Sequence, residues 1–229
     1  MKQRTEEWYQ ARLGCLGASS IADMLATTKS GESASRANLR ARIVAERLTG
    51  RPQETYTNAA MQHGIDTEDE ARAMYEVAVG VMVAETGWHK HPRIDWCGAS
   101  PDGLIDDCGL LEIKCPNTAT HIDTLLSRRV PAKYLPQMQW QMAVTGRQWV
   151  DFVSYDPRMP PDLQLWTAKI FRDNGFIEQL EAEAMKFLLE VDDLVSKLIS
   201  ICAVPIDQLD EPPRKGRMSG KMSAAASLK

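Results

Sequence analysis

The sequence predicts an α/β fold, a central mixed β-sheet flanked by helices, and three patterns predict it. Residues 103–112 read as a hairpin leading into an apolar strand, Leu110-Leu111-Glu112-Ile113-Lys114. Apolar residues recur at helical spacing on either side of it, at about 57–79, 131–144 and 176–201. Two further strand patterns, 148–155 and 163–171, place the last strand at the rim of the sheet.

Taken in order, Thr5-Glu6-Glu7-Trp8 begins a short helix with acids in its first turn, and Trp8, Arg12 and Leu13 lie near one face. Gly17-Ala18-Ser19-Ser20 opens a second helix running to about Ala26, with Ser19 or Ser20 as N-cap and free N–H groups suited to an anion. Thr27 to Ser35 reads as a mobile polar loop carrying Lys29. A helix from about Ser35 to Thr49, stopped by Gly50, turns Leu39, Ile43, Val44 and Leu48 to a core and Arg36, Arg40 and Arg47 away from it. Within 57–79, Glu68 shares a face with Ala71 and Tyr75, and Met61 and His63 precede it. Residues 81–97 alternate as a strand ahead of the hairpin. Helices follow at about 120–127 and 131–144; on the second, Gln137 and Gln141 share a side while Met138 and Met142 lie nearer the core. In the 176–201 helix, Leu180, Met185, Leu188, Leu189, Leu194 and Leu198 form a stripe for the core or for a subunit contact. One domain, 1–204, is expected, with residues 205–229 a basic tail expected to lack a fold.

With 44% hydrophobic and 25% charged residues, the composition is that of an ordinary globular protein. Five cysteines without a Cys-x-x-Cys pair argue against a disulfide framework and against zinc or iron–sulfur sites, and imply a reducing compartment. The start resembles no signal peptide, no run is long enough for a membrane span, and no Walker-type phosphate loop is present, so a cytoplasmic protein without ATP chemistry is expected. The net charge is −4, yet residues 1–52 hold nine basic and five acidic side chains, a local +4 that leaves −8 for the remainder. A basic lobe beside an acidic centre suits a phosphate-handling enzyme, although chance segregation gives the same pattern.

The chemistry concentrates in residues 98–116. Pro101 and Asp102 open a turn, and the hairpin returns Glu112 towards Asp102. Side chains two apart on a strand share a face, so Glu112 and Lys114 project together while Leu111 and Ile113 face a core. Two acids beside one lysine suit Mg²⁺, a hard cation that can polarise a phosphodiester and acidify a bound water. Lys114 can orient that water or offset charge on phosphate. Read from the residues alone, each candidate has a plainer alternative. Glu112 with Lys114 is also a solvated ion pair, Ser19 a cap, Arg12 a surface ion pair, Lys29 a loop lysine, Met61 core filling and Gln137 a surface glutamine.

Ordered motifs separate these alternatives: Trp8-x-x-x-Arg12-x-Gly14, Gly17-Ala18-Ser19, Gly64-x-x-x-Glu68, Ser100-Pro101-Asp102-Gly103, Glu112-x-Lys114-Cys115-Pro116, Gln137-x-Gln139 and Tyr155-Asp156-Pro157-Arg158. Over about residues 4–190 the chain thereby resembles the PD-(D/E)xK nucleases, and within them the lambda-exonuclease (alkaline exonuclease, YqaJ-type) branch. The resemblance implies a restriction-endonuclease-like fold and a Mg²⁺-dependent 5′-to-3′ exonuclease that digests one strand of linear duplex DNA to mononucleotides, leaving a 3′ single strand for recombination. It implies two Mg²⁺ ions, with Mn²⁺ a substitute, held by Glu68, Asp102, Glu112 and the carbonyl of Ile113, and a water positioned by Lys114 and Gln137. It further implies a 5′-phosphate pocket of Arg12, Ser19 and Ser100, Lys29 against the minor groove, and Met61 as a wedge at the duplex end. Thr120, beside His121, stands where the family carries another basic phosphate anchor. A homotrimeric ring, a single-strand annealing recombinase partner and a phage or prophage gene in a bacterial host complete the implication. Open alternatives are an endonuclease of the same fold and a non-catalytic DNA-end-binding protein.

Overall fold

In the computed structural model, which describes residues 2–29, 31–53 and 59–203, Thr5 Oγ1 accepts from the Trp8 N–H (3.3 Å) and caps α1 (Glu6–Arg12). The chain continues through β1 (Leu16–Gly17), a 3-10 turn (Ala18–Ser20) and α2 (Ile21–Leu25). Next come a small hairpin of β2 (Thr27–Thr28) and β3 (Gly31–Glu32), and α3 (Ala34–Thr49), which Ser33 caps and Gly50 ends at φ 63°. After α4 (Ala59–Val79) follow β4 (Val83–Ala84), β5 (His89–Lys90), β6 (Cys97–Ala99), β7 (Gly103–Ile105) and β8 (Gly109–Lys114). The chain then forms α5 (Thr118–Ser127), α6 (Leu135–Thr145), β9 (Trp149–Tyr155), β10 (Leu165–Phe171) and α7 (Asn174–Ala203).

The central sheet runs β10-β9-β8-β7-β4. Within this sheet only β8 and β9 pair in parallel, and a parallel pair needs a crossover, which α5 and α6 supply. A second sheet, β1-β6-β5, lies beside it and leads β6 into the Ser100-Pro101-Asp102 turn. Helices cover both faces of the central sheet. Ala71 and Tyr75 of α4 pack with Leu111, Ile113 and Val153, while Met138 and Met142 of α6 pack with Leu110, Val150 and Phe152. A third cluster joins Ile21, Ile43 and Phe187 from α2, α3 and α7 to the second sheet. All five cysteines are free, and no described helix is long and apolar enough to cross a membrane.

The predicted mixed sheet, the hairpin and the edge position of β10 are all present. Several expectations change. Residues 81–97 do not form one strand: β4 pairs with β7 in the central sheet and β5 with β6 in the other, so the chain changes sheets between them. The polar loop after α2 is the β2–β3 hairpin, with Lys29 exposed at its turn. Neither Ser19 nor Ser20 makes a side-chain cap, because a 3-10 turn opens that segment. Leu48 is exposed rather than core, and within the stripe of the last helix Met185, Leu189 and Leu198 are exposed. The face of α3 expected to point away from the core packs on α7 instead: Arg36 and Arg40 bind Glu190, and Arg47 binds Asp192 (2.5 Å). The start of the 57–79 helix and the 205–229 tail lie outside the described residues.

Gly98 in β6 is a tight point beside the site. A Cβ there would lie 2.2 Å from the His89 carbonyl oxygen and 2.5 Å from the Trp88 ring. Gly98→Ala should therefore destabilise the protein by about 2 kcal/mol, as overpacking does. A urea midpoint within error of the wild type would contradict this packing.

Candidate active site

The site lies where β7 leaves the Pro101-Asp102 turn, alongside its partner strand β8. Asp102 is pinned to the neighbouring strand: its N–H donates to Leu111 O (3.1 Å), and its Oδ2 accepts from the Ile113 N–H (2.7 Å). Glu112, on β8, faces α6 rather than solvent and is only 1% exposed. A buried carboxylate must be compensated, and three donors do so here. Gln137 Nε2 donates to Oε1 (2.5 Å), Gln141 Nε2 to Oε2 (2.5 Å), and the Lys114 ammonium pairs with Oε1. Gln137 and Gln141 reach the same carboxylate because they stand one turn apart on α6. Glu68 approaches from α4, where Arg4 (2.5 Å) and Arg72 (3.5 Å) engage its two oxygens.

The three acids interact. Burial, then Glu112 and Glu68, push the Asp102 carboxyl well above the usual carboxylate range, against the opposing pull of Lys114 and the Ile113 N–H. Burial disfavours the Lys114 ammonium, but Glu112 and Asp102 outweigh it and raise its pKa, so Lys114 acts as a fixed cation and not as a base. Cys115 is half-buried near these acids; desolvation, Glu68 and Asp102 push its thiol up to about 12, which leaves it without nucleophilic thiolate.

A cavity of about 370 Å³ joins this centre to a second group of candidates. Arg12, Ser19 and Ser100 line it together with Glu68, Asp102, Glu112, Ile113, Lys114 and Gln137. Ser100 Oγ accepts from Trp8 Nε1 (2.8 Å), and the Arg12 guanidinium stacks over Trp8 (4.1 Å) and faces Trp88 (5.9 Å). Among the described residues Arg12 has no carboxylate partner, and burial and the nearby Arg42 both lower its pKa. An anion would relieve both penalties. The plainer alternative for Arg12, a surface ion pair, is not formed among the described residues; an aromatic clamp holds it instead.

Lys29 is outside this cavity, and the side chain of Met61 lies outside the described residues. His63 contacts Thr67 and does not line the cavity. His121 is buried between Ser154 Oγ and Leu163 O, both at 2.8 Å, and supplies nothing where Thr120 lacks a base. Glu68, Asp102 and Glu112 share the wall, yet among the described residues no three acids, histidines or cysteines close into a ready cation cage.

Sequence reasoning missed Gln141, Arg4, Arg72 and Trp88 at this site. For Gln141 the signal was present in its four-residue spacing from Gln137; the others carry no local signal. The Tyr155-Asp156-Pro157-Arg158 motif proves to brace the loop after Lys114: Arg158 donates to Pro116 O (3.1 Å) and to the fully buried Asp156 (2.7 Å).

Comparison with known proteins gives the family. The sequence model of the YqaJ-like viral recombinase domain matches residues 7–148, well over half the chain. The chain belongs to the YqaJ-like viral recombinase family. Its backbone matches the crystal structure of an alkaline exonuclease, LHK-Exo from Laribacter hongkongensis, with a TM-score of 0.81, 48% identity and coverage of 87% of this chain and 98% of that one. The same enzyme in complex with dAMP matches equally well. A phage-related exonuclease from Haemophilus somnus 129PT, 17% identical with a TM-score of 0.64 over 80% of this chain and 96% of that one, shares the fold. No curated protein matches in sequence. Within this family the chain is an exodeoxyribonuclease of the alkaline-exonuclease type, with the restriction-endonuclease-like fold.

Two measurements test the geometry. Gln141→Leu keeps the volume but removes the donor to Glu112, and nuclease activity should fall on the order of tenfold, as it does when a supporting hydrogen bond is lost; unchanged activity would remove Gln141 from the site. Burial raises the Asp156 pKa, but hydrogen bonds from Arg158 and Thr118 outweigh it and hold the carboxyl at about 2. A depressed folded pKa stabilises above the unfolded value and is lost as pH falls through the folded one. The stability advantage of the wild type over Asp156→Asn should therefore be about 2 kcal/mol above pH ~4 and shrink towards pH ~2. An advantage independent of pH across that window would contradict the pairing.

Proposed function

We propose that the protein digests one strand of linear duplex DNA from its 5′ end, with Glu68, Asp102 and Glu112 as metal carboxylates and Arg12, Ser19 and Ser100 as the pocket for the terminal phosphate. The observation that carries this reading is the single cavity lined by both groups. A 5′-terminal phosphate seated beside Arg12 places the adjoining nucleotide against the carboxylates, which is the arrangement an end-dependent nuclease needs.

The donor set suits a hard divalent cation. It is all oxygen, and the rise in the Asp102 pKa marks a concentration of negative charge that such a cation would offset. Asp102, Glu112, Glu68 and the Ile113 carbonyl would hold Mg²⁺, or Mn²⁺ in its place, as two ions. When bound, they supply Lewis-acid activation of the phosphodiester and of water. The chain's own residues do the rest. Lys114, kept charged by Glu112 and Asp102, stabilises charge developing on the phosphate and orients the attacking water. Gln137 stands beside Lys114 on the same Glu112 oxygen and offers its amide to water or phosphate. Gln141 holds the other Glu112 oxygen, so the carboxylate keeps one orientation. Arg12 on its aromatic clamp and Ser100 select the end.

The family resemblance supports mononucleotide release and a residual 3′ single strand. The family resemblance also supports a homotrimeric ring around the duplex, a single-strand annealing recombinase as partner, Lys29 and Met61 as duplex contacts, and action in the cytoplasm of a bacterial host carrying the phage or prophage gene.

The test is digestion with Mg²⁺ of linear duplexes bearing 5′-phosphate or 5′-hydroxyl ends and of a closed circle. Phosphorylated ends should be consumed fastest, circles should survive, and Lys114→Ala should lose on the order of 10²-fold or more in rate. Cut circles would make the protein an endonuclease. Absence of any Lys114-dependent cleavage would leave a DNA-end-binding protein.

A further inference from the structure

The segment before α1 crosses the mouth of the active-site cavity. Gln3 Nε2 donates to Pro101 O at 2.7 Å, beside Asp102, and Thr5 donates to Lys2 O at 2.9 Å before capping α1. Between them Arg4 adopts φ 63°, a left-handed conformation that L-residues other than Asn and Asp seldom take. This turn sends the Arg4 side chain into the cavity, where Nη2 meets Glu68 Oε2 at 2.5 Å. The contact bears directly on catalysis, because that oxygen belongs to one of the three carboxylates that face the phosphodiester in the reading above. A guanidinium on Oε2 and a divalent cation on the same atom exclude one another by charge and by space.

We propose that Arg4 is an exchangeable counter-ion of Glu68: it holds this carboxylate in the metal-free protein and transfers to a DNA phosphate when Glu68 takes up a divalent cation. The proposal rests on the assignment of Glu68 as a metal carboxylate. Three features favour exchange over a fixed structural pair. Arg72, from α4 itself, already holds the other Glu68 oxygen at 3.5 Å, so Glu68 keeps a partner when Arg4 leaves. The Arg4 side chain is 40% exposed, which makes release easy and leaves the guanidinium free to swing. The cavity it would swing within also holds Lys114, and a planar guanidinium binds phosphate oxygens in bidentate fashion. The second cation that a phosphate needs is thereby delivered only when the metal carboxylate is occupied, which couples metal loading to substrate binding.

The experiment titrates Mn²⁺ alone, without DNA, into the full chain and follows the free ion by electron paramagnetic resonance, for the wild type, Arg4→Gln and Glu68→Gln; KM and kcat on linear duplex are measured for the first two. Glutamine keeps the side chain's polarity at the left-handed position and removes only the charge. Arg4→Gln should bind Mn²⁺ roughly two- to fivefold tighter, the scale set by one partly exposed ion pair, while its KM for DNA rises more than its kcat falls. Arg4→Lys should restore the wild-type KM in part. Equal or weaker Mn²⁺ binding by Arg4→Gln, with binding lost in Glu68→Gln, would overturn the exchange alone. Tighter Mn²⁺ binding with an unchanged KM would overturn the transfer to phosphate. Mn²⁺ binding by Glu68→Gln equal to the wild type would overturn the metal assignment of Glu68 on which the inference stands.

Discussion

The structure turns on one buried charge, the carboxylate of Glu112 on the central strand β8. Removing a carboxylate from water costs several kcal/mol unless donors replace the water. Here the replacements come from an element distant in sequence, since Gln137 and Gln141 of α6 take one oxygen each. That requirement explains why α6 must lie across this face of the sheet, and why Met138 and Met142 on its neighbouring positions fill the apolar space above Leu110 and Phe152. The crossover that brings α6 there is also the connection that allows β8 and β9 to run parallel. Packing, topology and the site therefore share one solution.

Electrostatics outside the site follow a similar logic with a different outcome. Arg36, Arg40 and Arg47 of α3, which the sequence turned away from the core, are consumed by acids of α7 and by Glu32. Arg12 is treated differently. It is flanked by aromatic rings and by a like charge, so its guanidinium is held in place without being neutralised. Local positive charge among the described residues is thus distributed unevenly: many arginines pair with acids and bind the fold together, whereas Arg12 keeps its charge unmet in the catalytic cavity.

The acidic centre is likewise incomplete by its own charges. Asp102 is burdened by its two neighbours, Glu112 is saturated with donors, and Glu68 is drawn towards Arg4 and Arg72. Such a centre is stable as it stands, yet it stores negative potential that a divalent cation or a proton would relieve. This is the electrostatic form that a phosphodiester-cleaving site needs, because the same charge would repel DNA unless a cation intervenes.

The sequence by itself determined the local features. Period-two alternation placed Glu112 and Lys114 on one face of a strand, helical spacing placed Gln137 and Gln141 on one side of a helix, and turn residues marked the hairpin that returns Glu112 to Asp102. Ordered motifs supplied the nuclease resemblance. Only the tertiary structure decided which distant groups meet. Nothing local in residues 2–5 shows that Arg4 reaches Glu68, nothing in α3 shows that its arginines face α7, and the alternation of 81–97 does not reveal a strand pattern divided between two sheets. The physical reason is range. Backbone periodicity is written over a few neighbouring residues, whereas the partner of a charge is set by how whole elements pack, and a charged side chain accepts any partner that packing brings within reach.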